Sequence, residues 1–268
     1  MIAISDNVQI RKDVPSGTII LNRPDKKNAL SREIVLMLEQ AFEDFLSERN
    51  VRSVILTGAG DTFCSGTDLV QIQQTRESKE AMQTWHQDVL SFKSLIEYML
   101  RYPKPIVAAI NGPIVGAGLA LVLAADIVVA SENAVVTLPE PKRGLSPGLT
   151  APLLSFRVGT GVATKMLLSG EAVAADEANQ MGLFHSVVSE ELVWARSQEI
   201  ATQIASTARE SHQMTKQFLN ETVGEQLFMQ LDIAAANMAA ARTTPAAEEG
   251  IAAFLEKREP DWDKPTEF

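Results

Sequence analysis

The residues best suited to chemistry lie around two glycines, Gly116 and Gly118, which flank Ala117. An apolar run of strand length, residues 106–110, ends at an Asn-Gly turn before them, and residues 119–125 indicate a short helix buried on every side. The first turn of a helix has N–H groups without intrahelical acceptors, and such donors favour negative charge. Because glycine also permits close approach to the main chain, the pattern fits a hole for an oxyanion. Tight packing of helix against strand explains this stretch equally well.

A second donor is predicted upstream, after another buried strand at residues 51–57. A turn follows that strand, and Gly66 then precedes Thr67. A glycine before one accessible N–H makes the amide of Thr67 a candidate partner for the amide of Ala117. Two such amides can hold one carbonyl oxygen between them, so the pair favours the oxyanion hole over a packing role.

Glu140 is the carboxylate with the most restrained backbone, because it lies between Pro139 and Pro141 after an apolar run at residues 134–138. The two prolines would hold its side chain in one direction. From the residues alone, an exposed loop glutamate is still the favoured interpretation, since glutamates lie mostly at the surface.

Other chemistries find little support. A dinucleotide-binding glycine motif would need glycine where Phe63 and Leu121 stand. Cys64 has no neighbouring histidine in the sequence to activate it, so a small packed thiol is the preferred interpretation. No metal site is predicted, because the histidines are far apart and match no metal motif; they are His86, His185 and His212.

The composition describes an ordinary soluble globular protein, with 46% hydrophobic and 22% charged residues. Its formal net charge of −10 argues against nucleic acid as a partner, because phosphate binding needs a basic face. The single cysteine cannot form an internal disulfide, and no apolar run reaches transmembrane length. We therefore expect a cytoplasmic protein that does not bind a membrane.

Strands and helices alternate up to about residue 190. Residues 9–13 and 17–21 predict a hairpin, and Ser31 predicts the start of an amphipathic helix. Residues 71–82 are polar and have no clear period. From residue 192 to residue 257 the pattern is almost continuously helical. Such a chain predicts an α/β core with a helical appendage, and a doubly wound nucleotide-binding sheet is the expectation from pattern alone.

The chain resembles the enoyl-CoA hydratase/isomerase (crotonase) superfamily over nearly its whole length. Four motifs carry the resemblance by their order and spacing: Leu21-Asn22-Arg23-Pro24 with Asn28-Ala29-Leu30, residues 63–69, Asn111-Gly112 with residues 116–120, and Pro139-Glu140. The resemblance implies an α/β fold, a crotonase-like spiral of ββα units. Residues 1–195 would form this core, and residues 196–268 an α-helical trimerisation region. The assembly would be a homotrimer or homohexamer.

In that family a thioester oxygen lies between two backbone amides, which fall here on Thr67 and Ala117. Position 117 is usually glycine, and alanine keeps the N–H. Glu140 matches a catalytic glutamate, whereas a second hydratase glutamate would fall at position 120, where Ala120 stands. A further family acid site is Gly148 in this chain. One carboxylate therefore remains at the predicted site.

The resemblance also implies that the substrate is an acyl-CoA thioester, so coenzyme A is part of the substrate and no separate cofactor is predicted. The residues expected at the CoA moiety are Arg23, Lys26, Asn28, Ala29, Ser65, Asp68 and Lys257. With one carboxylate, double-bond isomerisation of an enoyl-CoA is placed ahead of hydration or another enolate reaction such as decarboxylation. A catalytically idle CoA-binding or scaffold protein is the alternative from a different class.

Overall fold

The computed structural model describes residues 2–3 and 7–263. Its main sheet has seven described strands in the order β1 (Ile2–Ala3), β2 (Val8–Asp13), β3 (Ser16–Leu21), β4 (Ser53–Gly58), β5 (Ile106–Ile110), β7 (Ile127–Ser131) and β10 (Ser186–Val188). Strands β1, β2 and β3 are antiparallel, and the β2–β3 pair confirms the predicted hairpin. Within this sheet, β3, β4, β5, β7 and β10 are parallel.

The strand order in this sheet follows the chain order without a reversal. A doubly wound nucleotide-binding sheet holds its ligand in the crevice where the strand order reverses. The doubly wound expectation is therefore wrong for this chain.

A second, smaller sheet lies beside the first and consists of β6 (Ile114–Val115), β8 (Val135–Thr137) and β9 (Val173–Ala174), with β8 in the middle. Strand β6 is parallel to β8, and β9 is antiparallel to it. Along the chain, β5 of the large sheet is followed by β6 of the small sheet and then by a helix, and β7 and β8 repeat this order. This repetition is the ββα unit that the resemblance implies.

The α-helices of the described residues are α1 (Arg32–Ser47), α2 (Leu69–Arg76), α3 (Ala81–Arg101), α4 (Ala117–Ala124), α5 (Thr150–Val158), α6 (Thr160–Ser169), α7 (Ala175–Gln180), α8 (Val193–Ala205), α9 (Arg209–Thr222), α10 (Glu225–Ala241) and α11 (Pro245–Glu256). As predicted, α1 begins after Ser31, whose hydroxyl accepts a hydrogen bond from the Ile34 amide at 3.3 Å.

Helices α2 and α5 were not predicted. The polar stretch after residue 69 forms α2 because the Asp68 carboxylate caps it and accepts hydrogen bonds from the amides of Val70 and Gln71, at 3.1 Å and 3.3 Å. Only Ile72 and Thr75 of α2 are buried, and a stripe of two residues is too short to show a period. Helix α5 includes a proline in its first turn, where helices tolerate it.

Both faces of the parallel sheet are covered, as alternation along the strands requires. On β4, for example, Val54 and Leu56 belong to the main apolar core, whereas Ile55 packs in a second cluster with Val193 and Ile200 of α8. Helix α8 therefore completes the core.

The C-terminal region is helical, as expected. Helix α10 packs against α3 and α5, whereas α9 buries none of its own residues. The predicted division between residues 195 and 196 falls inside α8 and stays a prediction. No helix in the described part of the chain is both long and apolar enough to cross a bilayer.

Candidate active site

The two glycine-containing junctions lie side by side. Cys64 bridges Ile114 in parallel register, and the amide of Val115 donates to the Cys64 carbonyl at 2.9 Å. From this register, three further residues in each segment lead to Thr67 and to Ala117. The predicted pair of amides is thus brought to the same place.

Gly66 is required by this close approach. A Cβ at position 66 would lie 2.7 Å from the Val115 carbonyl oxygen and 3.2 Å from the Ala117 nitrogen, and the φ angle of Gly66 is +83°. Within residues 7–263, neither the Thr67 amide nor the Ala117 amide donates to a protein acceptor, and both residues line one cavity. Two backbone donors are therefore available to one oxygen atom.

Three backbone hydrogen bonds join the segment of residues 27–30 to the segment of residues 65–68. The Ser65 amide donates to Lys27 at 2.9 Å, the Leu30 amide to Gly66 at 2.7 Å, and the Asp68 amide to Leu30 at 3.0 Å. These hydrogen bonds tie the basic loop to the segment that carries the Thr67 amide.

Glu140 reaches the other junction through the small sheet. The Gly116 amide donates to the Thr137 carbonyl at 2.9 Å, which places the end of β8 beside the start of α4. Glu140 then begins a short 3-10 turn, Glu140–Arg143, preceded by Pro139. A Cβ at Gly116 would lie 2.6 Å from Glu140 Oε1, and the φ angle of Gly116 is +53°. A side chain at position 116 would displace this carboxylate, and the positive φ angle also favours glycine.

Burial is the main influence on the Glu140 carboxylate. Its Oε2 atom is enclosed and has no hydrogen-bond partner in the described structure. Burial raises the pKa of Glu140 from 4.5 to about 7, and a hydrogen bond from its own backbone amide opposes part of this rise. A pKa near neutrality suits a group that must both take and return a proton.

The cavity has a volume of 910 Å³. It brings together most of the predicted site residues, namely Lys26, Ala29, Ser65, Thr67, Asp68, Ala117, Glu140 and Lys257. Arg23 and Asn28 are not in its wall.

Asn28 has a structural position that differs from the predicted contact with CoA. Its side chain is fully buried, and Nδ2 donates to the carbonyls of Ala59 and Thr62 at 2.9 Å and 2.7 Å. Its Oδ1 accepts from the Arg23 amide at 2.9 Å. Asn28 therefore joins its own loop to the turn of residues 59–62. A polar loop residue can serve the backbone or a ligand, and sequence alone does not distinguish these roles.

Asp68 and Arg23 are similarly occupied. Asp68 Oδ2 accepts from Arg23 Nη1 at 2.7 Å, while Oδ1 caps α2. Their charged groups thus fix the loop against the N-terminus of α2. The Asp68 carboxylate borders the cavity but is already paired.

No second free carboxylate lies beside Glu140 in the described cavity wall. Its other acids are Asp25, on the exposed loop, and the paired Asp68. Ala120 is fully buried in α4. Asp126 lies elsewhere, because it accepts from the Ile106 amide and pairs with Lys216, each at 2.7 Å.

Cys64 is fully buried, and burial raises the pKa of its thiol to about 12, which makes it a poor nucleophile. The 7–263 segment has no group of three His, Cys, Asp or Glu side chains placed to hold a metal ion.

Several cavity residues gave no signal in the sequence. They are Arg143, Thr150, Met238 of α10 and Arg242. Arg143 follows Glu140 in the same turn, and its guanidinium lies 4.1 Å above the Phe254 ring. The others come from distant segments, so no local pattern marks them.

An apolar cavity that holds two free backbone donors and a buried carboxylate can stabilise an oxyanion and transfer a proton beside it. Residues 16–265 match the family model described as Enoyl-CoA hydratase/isomerase. The chain is 36% identical over 244 residues to a putative enoyl-CoA hydratase of Thermus thermophilus, covering 91% of this chain and 96% of that protein. It is 29% identical over 248 residues to the 1,2-epoxyphenylacetyl-CoA isomerase of Escherichia coli, covering 91% and 94%.

A crystal structure of an enoyl-CoA hydratase/isomerase from Pseudoalteromonas atlantica superposes with a TM-score of 0.83 at 32% identity, covering 96% of this chain and 99% of that one. The chain belongs to the enoyl-CoA hydratase/isomerase family. Its crotonase fold and its assignment as an acyl-CoA enzyme are confirmed.

Proposed function

We propose that the protein isomerises the double bond of an enoyl-CoA, from C3 to C2, with Glu140 as the sole acid/base. The observation that carries this proposal is that the Glu140 carboxylate lies against Gly116, where a Cβ added to the glycine would be 2.6 Å from Oε1. Position 120, in contrast, holds a buried alanine. The amides of Thr67 and Ala117 form the oxyanion hole.

The reaction needs only one proton shuttle. Ionised Glu140 takes a proton from C2 of the 3-enoyl thioester, and the electron pair of the broken C–H bond forms a dienolate. The two amides hold its oxygen, and each such donor is worth about 3–4 kcal/mol. Protonated Glu140 then returns the proton at C4, which leaves the 2-enoyl product and regenerates the carboxylate. The raised pKa of Glu140, about 7, lets both protonation states form near neutral pH.

Hydration of a 2-enoyl-CoA is the second candidate. It is favoured by the similarity to the Thermus protein, whose name is that of a putative hydratase. Addition of water usually requires one carboxylate to activate water and another to supply or hold the proton. Ala120 and the paired state of Asp68 leave Glu140 to perform both steps, which is why isomerisation is placed first.

The coenzyme A moiety is proposed to lie at the basic mouth of the cavity. Lys26, Lys27, Arg143 and Lys257 border the mouth, against the single exposed acid Asp25. This local excess of positive charge attracts phosphate although the chain carries a net charge of −10. Ala29 and Ser65 supply neighbouring wall, while Arg23, Asn28 and Asp68 hold the loop in place.

We also propose that the protein forms a homotrimer or homohexamer. Its proposed location is the cytoplasm. Helix α9 buries no residue in the single chain, yet its exposed residues include Met214, Phe218 and Leu219, and Val223 directly after it is also exposed. An amphipathic helix with an uncovered apolar face fits burial between subunits.

Turnover of matched 3-enoyl-CoA and 2-enoyl-CoA substrates tests the reaction. Wild type should convert the 3-enoyl substrate faster than it hydrates the 2-enoyl substrate. Ala120→Glu should raise hydration with less effect on isomerisation, because positions 117 and 120 are three residues apart on one face of α4. Ala120→Gln is the control for size. Fast hydration by wild type with no isomerisation would replace the proposal with the second candidate, and binding without turnover would favour an idle protein.

A further inference from the structure

A second cavity of 290 Å³ adjoins the active-site cavity. The two share five wall residues, namely Thr67, Ile72, Phe92, Met238 and Arg242. Thr67 carries one proposed oxyanion donor, and Ile72, Phe92 and Met238 provide apolar surface. The rest of the wall of the second cavity combines apolar Leu30, Val35 and Leu36 with polar residues, which include Arg32, Gln71, Asp88 and Ser91. An acyl chain that leaves the oxyanion hole in this direction passes an apolar stretch and then reaches arginines.

Arg242 is the unusual member of this wall, because it is only 4% exposed. Its guanidinium makes no direct hydrogen bond in the described structure, and its ion-pair partner Asp88 lies 3.8 Å away. Burial lowers the pKa of Arg242 to about 10, so the group remains cationic at neutral pH. A mostly buried guanidinium whose one ion-pair partner lies 3.8 Å away keeps donors available for a closer anion.

The nearby acids are already committed to other arginines. Asp88 binds Arg32 through both carboxylate oxygens, to Nε and, at 2.9 Å, to Nη2. Arg76 pairs with the largely exposed Glu248 at 3.5 Å and donates to the Arg242 carbonyl at 2.9 Å. Three arginines thus meet two acids, and the uncompensated positive charge lies on the cavity wall.

We propose that Arg242 binds a carboxylate at the far end of the acyl chain, so that the preferred substrates are ω-carboxyacyl-CoA thioesters. This inference rests on the proposed function and specifies its substrate class. The planar fork of a guanidinium matches a carboxylate in a bidentate manner, and the intervening apolar wall suits a hydrocarbon spacer. An alkyl tail would leave Arg242 with the Asp88 carboxylate at 3.8 Å as its ion-pair partner and would add no acceptor.

Binding of saturated, unreactive thioesters tests the inference without any turnover. Isothermal titration calorimetry would compare ω-carboxyacyl-CoA with straight-chain acyl-CoA of the same carbon number, from four to eight carbons. We expect at least one carboxylated member to bind about 10- to 100-fold more tightly than its alkyl match. Affinities within about threefold throughout the series would overturn the proposal, whereas failure of both kinds of thioester to bind would overturn the acyl-CoA function with it.

Arg242→Met keeps a long apolar stem and removes the charge. It should abolish the preference for the carboxylated tail while straight-chain acyl-CoA still binds, which also shows that the variant is folded. Arg101→Met removes an exposed arginine of α3 outside the cavity wall and is the matched control, which should keep the preference. A preference that persists in Arg242→Met would contradict the assignment.

Discussion

Replacing Glu140 with glutamine should lower activity and raise stability at alkaline pH. The folded protein binds the Glu140 proton more tightly than the unfolded chain, because burial raises the pKa from 4.5 to about 7. Its stabilising contribution is therefore complete below pH 4.5 and is lost as the pH rises through 7. This difference in proton affinity corresponds to a loss of about 2–3 kcal/mol of unfolding free energy between pH 5 and pH 8. Glutamine does not ionise, so Glu140→Gln should not show this loss.

Urea unfolding at pH 5 and pH 8, followed by tryptophan fluorescence at one protein concentration, would measure the effect. The stability of Glu140→Gln relative to wild type should rise by about 2–3 kcal/mol from pH 5 to pH 8. Glu33→Gln, at an exposed position of α1, is the control and should show no such rise. An equal difference between Glu140→Gln and wild type at both pH values would refute the burial argument.

The same substitution should reduce turnover by about 10²–10⁴-fold while CoA binding survives. In wild type, kcat/KM should increase with pH and level off above an apparent pKa of about 7, because the base must be ionised to accept the proton. A profile that is flat from pH 6 to pH 8 would separate Glu140 from the proton-transfer step.

Three further predictions concern the oxyanion hole, the basic mouth and the assembly. Ala117→Pro removes one N–H donor at the first position of α4, where helices accept proline. The kcat should therefore fall by about 10²–10³-fold. Ala117→Gly keeps the N–H and should remain active. CoA affinity should fall when the ionic strength is doubled, and Lys257→Gln should weaken both the affinity and this salt dependence; an unchanged affinity would exclude the electrostatic contribution. Phe218→Asp should dissociate the oligomer in analytical ultracentrifugation, and a monomeric wild type at micromolar concentration would contradict the assembly.

Local sequence was sufficient for the parts of the site that depend on backbone geometry. Gly66 and Gly116 each permit a close approach to the backbone amide of the next residue. The sequence therefore indicates the amides of Thr67 and Ala117 as donors. The proline-flanked Glu140 needed the family resemblance as well. The helical pattern after residue 190 was also readable, because four successive helices leave no room for a strand.

The remaining features depend on contacts between distant segments. The family resemblance predicts Asn28 at the ligand. The sequence does not show that the side-chain amide of Asn28 donates to the carbonyls of Ala59 and Thr62. Arg242 gave no signal, since its meaning arises only when α10 packs against α3 and leaves the guanidinium beside Asp88. Such groups acquire their role from burial, which a single sequence does not display.

The hydrogen bonds that join residues 27–30 to residues 65–68 separate two tasks within the molecule. In the proposed reaction, this tied backbone and the junction at Gly116 position the reacting carbonyl. The wall proposed for the acyl tail is instead lined by side chains of α2, α3 and the end of α10. Substitutions in those helices can alter which tail is accepted without displacing the atoms that form the enolate. This division makes the scaffold suitable for redesign: a library confined to the tail-end wall should yield altered chain preferences at nearly constant chemistry, and the same freedom is available to natural divergence.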